Sequence, residues 1–156
     1  MTALLALRPD LEMPLVCKGP VPEARSPLKE AKVSELFPDA FAPGAAMAGL
    51  WLYFSYFSEA HTIAQDIESA EGNYWHAIVH RQEPDGSNSR YWFRRVGDHP
   101  IFPSLMAEAK RLGYPGGNHW SPDAFIHYCL SGNEAVARAV QMAEWRLLFS
   151  YCARRK

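Results

Sequence analysis

Seven of the chain's 12 prolines fall in its first 43 residues: Pro9, Pro14, Pro20, Pro22, Pro27, Pro38 and Pro43. Each lacks an N–H and fixes φ, so this stretch cannot be a long helix or an inner strand. The 156-residue chain therefore divides into a proline-rich arm, 1–43, and one domain, 44–156. Leu4, Leu5, Leu11, Leu15 and Val16 give the arm an apolar strip that needs covering. It packs along its own domain or crosses to a second copy, as in a homodimer. One short helix fits inside it, from about Pro27 to Phe37. Ser26 is its cap, Pro27 suits its first turn, and Leu28, Ala31, Leu36 and Phe37 face inward.

Beyond Gly44 the apolar spacing is helical. Met47, Leu50, Trp51, Phe54 and Phe57 or Ser58 form one line, which His61, Gln65 and Glu68 continue. One long helix, or two with a break near Ser58, accounts for it. Glu71-Gly72-Asn73 reads as the next break, with Asn73 capping a helix to about Gln82. Pro84-Asp85-Gly86 is a turn by composition. A helix then starts at Ser87 or Asn88 and runs to about Val96, where Gly97 ends it. Another runs from Pro103 to near Leu112, with Gly113 as C-cap. Tyr114 to Trp120 reads as a flexible connection whose rings are free to lie exposed. Ser121-Pro122-Asp123 opens a helix, and Val136, Val140, Ala143 and Leu147 mark the last one, closing on Arg154, Arg155 and Lys156. The expected fold is all-α: a compact bundle of about six or seven helices preceded by the arm. The β-friendly runs Trp51 to Phe57 and Tyr91 to Val96 leave a strand or two as the alternative.

At 48% hydrophobic and 13% aromatic, the chain has ample material for a core. A net charge of -1 excludes the basic footprint of a nucleic-acid binder. Between Tyr74 and Pro100, Arg81, Arg90, Arg94 and Arg95 are nearly offset by Glu83, Asp85 and Asp98. Cys17, Cys129 and Cys152 are an odd count without a metal or disulfide spacing, so three inert thiols in a reducing cytosol are expected. The apolar run Met47 to Phe57 is too short to cross a bilayer, and the N-terminus lacks the basic start of a signal peptide. The expectation is a soluble cytoplasmic protein with no membrane or nucleic-acid partner.

The chemistry concentrates in YWHAIVHRQEPDGSNSRYWFRRVGDHP, residues 74–100. His76 and His80 stand four apart, about 6 Å along a helix axis and on nearly one face. Two neutral imidazoles so placed can chelate a zinc-like divalent ion. His61, on the preceding helix, is the expected third ligand, with Glu59 and Glu68 weaker fourth candidates. The glutamate that follows the first histidine in zinc proteases is Ala77 here. The alternative is a polar interface in which the histidines hydrogen-bond to carboxylates or carbonyls. Gln65 shares the His61 face and would orient a ligand or a catalytic water, or belongs to a solvated patch. Arg81 and Arg95 are the cations for an anionic group, against ordinary ion pairs with nearby carboxylates. Arg95 shares a face with Tyr91 and is expected to point inward. Tyr91 and Trp92 can stack on a sugar or base, or simply pack. Asn88 is a ligand contact or a helix cap.

The pattern H-x-I-A-Q, then Y-W-H-A-I-x-H-R-x-E-x-D, then N-x-x-Y-W-F-R-R-V-G-x-H-P resembles a family of uncharacterised bacterial proteins over roughly residues 50–103. The resemblance marks His61, Gln65, His76, His80, Arg81, Asn88, Tyr91, Trp92 and Arg95 as motif positions and carries no reaction with it. Gln82 departs from it where a second basic residue is expected. Three functions follow from the residues. The first is an enzyme, such as a metal-assisted hydrolase, acting on a small polar or anionic metabolite, with His61, His76 and His80 catalytic as metal ligands or as acid–base groups. The second is a non-catalytic carbohydrate- or nucleotide-binding or sensor module. The third is a structural protein with a polar core network.

Overall fold

Residues 45–53 are buried without exception, so the helix that carries them has no solvent face. Pro43–Tyr53 (α4) reads Ala-Ala-Met-Ala-Gly-Leu-Trp-Leu-Tyr from residue 45, and a helix apolar all round belongs inside a protein. The computed structural model describes residues 2–156 and builds the other elements around α4. Before it come Thr2–Leu5 (α1), a short turn at Pro22–Ala24, Arg25–Glu30 (α2) and Val33–Leu36 (α3). After it come Phe57–Gln65 (α5), Ala70–Gln82 (α6), Gly86–Val96 (α7), Phe102–Arg111 (α8), Pro122–Ser131 (α9) and Glu134–Ala153 (α10). The protein is all-α, and no strand occurs among the described residues. Among those residues a single β-bridge joins Ala40 to Arg155. Both β-friendly runs lie in the helical part, the first across α4 and the start of α5 and the second within α7. The helices from α4 to α10 match the expected bundle, and the short arm helices raise the count above it.

The second interior helix is α6, buried from Glu71 to Gln82. It meets α4 at Gly49 and Trp75: a Cβ on Gly49 would sit 2.6 Å from Trp75 Cζ2. From α10, Trp145 Nε1 donates to Gly49 O at 2.8 Å, which ties a third helix to the same crossing. Glycine there lets two backbones approach around an indole, and it satisfies the polar end of a second one.

Of two expected breaks, the one near Ser58 occurs and the other is displaced. The first comes before Ser58: Ser55 adopts φ 61° between α4 and α5, and Tyr56 N donates back to Trp51 O. The second precedes Glu71-Gly72-Asn73. The connection is 66–69, Ser69 caps α6 by accepting from Gly72 N, and Asn73 lies inside the helix. Gly72 is a point of contact, since a Cβ there would lie 2.3 Å from Ile67 O. The helix α7 starts at Gly86 rather than at Ser87 or Asn88, and Asp85, not Asn88, caps it by accepting from Asn88 N. Gly97 at φ 69° ends α7, and Ser121 and Asn133 cap α9 and α10. Tyr114 and Trp120 are each 7% exposed, so the rings of the 114–120 connection are core residues.

Within the arm, the expected single helix is two, α2 and α3, separated by extended Ala31 and Lys32. Leu28 and Phe37 are nine residues apart, which on a continuous helix is about 180° around the axis. The break lets both bury. Ser26 makes no cap, because α2 begins one residue earlier, at Arg25. Leu4, Met13, Val21, Ala24, Leu28, Phe37 and Ala40 all join the core cluster. The arm's backbone is held as well. Cys17 N donates to Gln82 O, Val21 N to Phe54 O, and Tyr53 Oη to Arg8 O. Near the chain's end, Phe41 N and Ala42 N donate to Arg154 O and Cys152 O.

Candidate metal centre

His76 and His80 occupy successive turns of α6, and their rings stack with centroids 4.8 Å apart. His61 reaches them from α5, which packs against α6. Its Nε2 lies 3.0 Å from His76 Nε2, so one ring donates and the other accepts. Its centroid is 4.6 Å from His76 and 5.2 Å from His80, edge-on to both. One nitrogen from each ring falls within 4.8 Å of the others. Tetrahedral zinc–imidazole geometry places ligand nitrogens about 3.4 Å apart, so the His61–His76 pair, at 3.0 Å, would have to give up its shared hydrogen to ligate, and the wider pairs would have to close by roughly 1–1.5 Å. His76 and His80 are buried and His61 is half-buried, which leaves the cluster open on the α5 side.

Burial pushes the His76 pKa down to about 4, and the His61 and His80 rings add to the shift. His61 is also lowered, first by burial and then by His80, with Glu83 opposing. Uncharged imidazoles carry a free lone pair, the form that ligates a metal. His80 Nδ1 meets Glu83 Oε2 at 2.9 Å, and the Asn88 amide lies 3.3 Å from the same nitrogen. Trp92, on α7, stacks on His76 with centroids 3.9 Å apart. That leaves the indole as one wall of the cluster.

The other expected site residues divide. Asn88 and Trp92 join the cluster. Gln65 lies exposed at the end of α5, one turn beyond His61. Tyr91 is 46% exposed. Arg95 is exposed too, with its guanidinium 5.6 Å over Trp92 and 6.0 Å over Tyr91. The inward face of α7 is Ser89, Phe93 and Val96, and Arg95 lies off it, so the inward placement expected from its pairing with Tyr91 does not occur.

Arg81 is the clear correction. It is fully enclosed, donates to Glu144 Oε2 at 2.5 Å and to Gln141 Oε1 at 3.3 Å, and lies 4.7 Å over the Phe125 ring. Tyr74 Oη donates to the same carboxylate at 3.0 Å. A residue next to His80 is rotated about 100° around the helix, which turns it away from the histidine face and into the core. Its partners, Glu144 and Gln141, come from α10, some sixty residues away in sequence, where no local spacing could point to them. Glu83 was legible only as an ion-pair partner for arginine. Its position three residues after His80 was the signal for its actual contact.

Comparison of the chain with family models, curated proteins and solved structures finds no match. A concavity of about 440 Å³ lies apart from the histidine cluster, between α7 and the start of α9, against Phe93, Arg94 and Pro122. No helix among the described residues is long and apolar enough to cross a membrane.

Proposed function

We propose that the protein is an enzyme that binds a zinc-like divalent ion through His61, His76 and His80 and hydrolyses a small polar or anionic molecule. The observation that carries this reading is the convergence of three imidazoles, from two helices, on one point. The donor set is all nitrogen, which suits zinc and its neighbours better than magnesium or calcium. Three protein ligands are the usual set of a catalytic zinc site, in which a fourth position is left for water or substrate. The ion, when bound, would supply a water of lowered pKa and a Lewis acid.

The chain's own groups have defined parts in this reading. His76 and His61 present uncharged nitrogens. Trp92 covers His76 and keeps water off that side. Gln65, one turn past His61, would orient a polar group arriving from the α5 side. Arg95, which makes no ion pair among the described residues, is the cation for a substrate's anionic end. Arg81 has no part, because Glu144 and Gln141 occupy it.

The test is metal analysis of protein purified without chelator, followed by zinc titration of the stripped protein. One ion per chain is expected, with affinity lost in His76→Ala. A wild-type protein that takes up no divalent transition metal, or a His76→Ala variant that binds as well as wild type, overturns the reading. A second reading rests on the exposed Tyr91 ring beside Trp92 and Arg95: a module that captures a ring-bearing metabolite without turning it over. Measured turnover dependent on His61 excludes it.

A further inference from the structure

We infer that Glu83 is a positioning residue that fixes the tautomer of His80. This rests on the reading of the three histidines as a metal centre. Glu83 is the C-cap residue of α6, and its N–H closes on Val79 O. That places its side chain one turn beyond His80, where Oε2 comes within 2.9 Å of His80 Nδ1. A carboxylate only accepts hydrogen bonds. The nitrogen facing it must therefore carry the hydrogen, and His80 is left with its lone pair on Nε2.

The second neighbour of that nitrogen makes the longer of its two contacts. Asn88, from α7, brings its amide Nδ2 to 3.3 Å of His80 Nδ1, against 2.9 Å for the Glu83 carboxylate. An NH2 group cannot donate to a nitrogen that already carries a hydrogen, so the Nδ1–H tautomer requires the Asn88 amide turned over, with Oδ1 toward the ring. The His80 side chain is thereby held between the end of α6 and the first turn of α7. A carboxylate behind a ligating imidazole orients the ring and raises its basicity, and losing it typically weakens metal binding about 10- to 100-fold. Glu83 also fits this role by its exposure. Its side chain is 42% exposed against 8% for His80, so it can be removed without opening the core.

Two measurements decide the matter. In metal-free protein, ¹⁵N chemical shifts of the His80 ring are expected to report the Nδ1–H tautomer in wild type and a mixture in Glu83→Ala. A wild-type ring protonated on Nε2 overturns the inference. This readout needs no metal, so it judges Glu83 even if the metal reading fails. In zinc titrations, Glu83→Ala is expected to bind about 10- to 100-fold more weakly. Glu83→Gln, whose amide oxygen can still accept, is expected to lie between the two. Wild-type zinc binding with an unchanged affinity in Glu83→Ala also overturns it. Helix content measured by circular dichroism confirms that each variant is folded. If Glu83→Ala fails to fold, Glu83→Gln carries the same two readouts, and an unchanged tautomer population together with unchanged zinc affinity in a Glu83→Asn variant overturns the inference.

Discussion

The chemistry of single residues here is set by what surrounds them. His76 has a folded pKa of about 4, against an ordinary 6.5. Between those values the unfolded chain binds a proton at this ring and the folded protein does not. Stability contributed by the neutral ring is therefore fully present above about 6.5 and is lost as pH falls toward about 4. His61 and His99, lowered chiefly by burial, act in the same direction. In chelator-treated protein the urea midpoint is expected to fall steadily through that window and to fall less steeply in His76→Gln. Equal slopes for the two proteins would refute the assignment. His99 shows how little a residue type alone reveals. It belongs to the same aromatic and basic stretch, yet it faces Glu71 at 3.7 Å, while its Nδ1 accepts from Ile101 N.

At the scale of an element, α6 decides the site. It is amphipathic in an uncommon sense, since both its faces are buried and they differ in chemistry. One carries His76 and His80 toward α5 and α7, and another carries Tyr74 and Arg81 toward α10. The helix can hold both only if its start is fixed, and Ser69 and Gly72 fix it. Gly72→Ala would drive a methyl into the Ile67 carbonyl, which is backbone and cannot step aside. The expected cost is about 1–3 kcal/mol, by analogy with overpacked cores, read as a lower urea midpoint with an unchanged slope. The sequence showed Gly72 as a helix breaker because glycine usually is one. What it could not show was that the Ile67 carbonyl fills the space a side chain would need.

The whole molecule is bound together by a polar centre. Arg81, Glu144, Tyr74 and Gln141 form one buried network, and Gln141 Nε2 extends it to the arm through Met13 O and Pro14 O. Removing one partner of a buried ion pair leaves the other charge unpaired, at a cost of about 3–5 kcal/mol. Glu144→Ala is expected to be destabilised to that extent in chemical denaturation. The paired change Arg81→Met with Glu144→Leu is expected to recover much of the loss. A single variant as stable as wild type would show that the pair contributes nothing.

Sequence alone determined the local facts: helical periodicity from Met47 onward, the helix start at Ser121, the stop at Gly97, and His76 and His80 on one face. These depend on neighbours within a turn or two, and spacing encodes them directly. Only the tertiary structure decided which helix lies inside, that His61 meets His76 at 3.0 Å, and that Arg81 belongs to Glu144 rather than to a ligand. Those outcomes depend on helices distant in sequence sharing one interior. There, burial selects which of several plausible partners a charged or aromatic side chain takes.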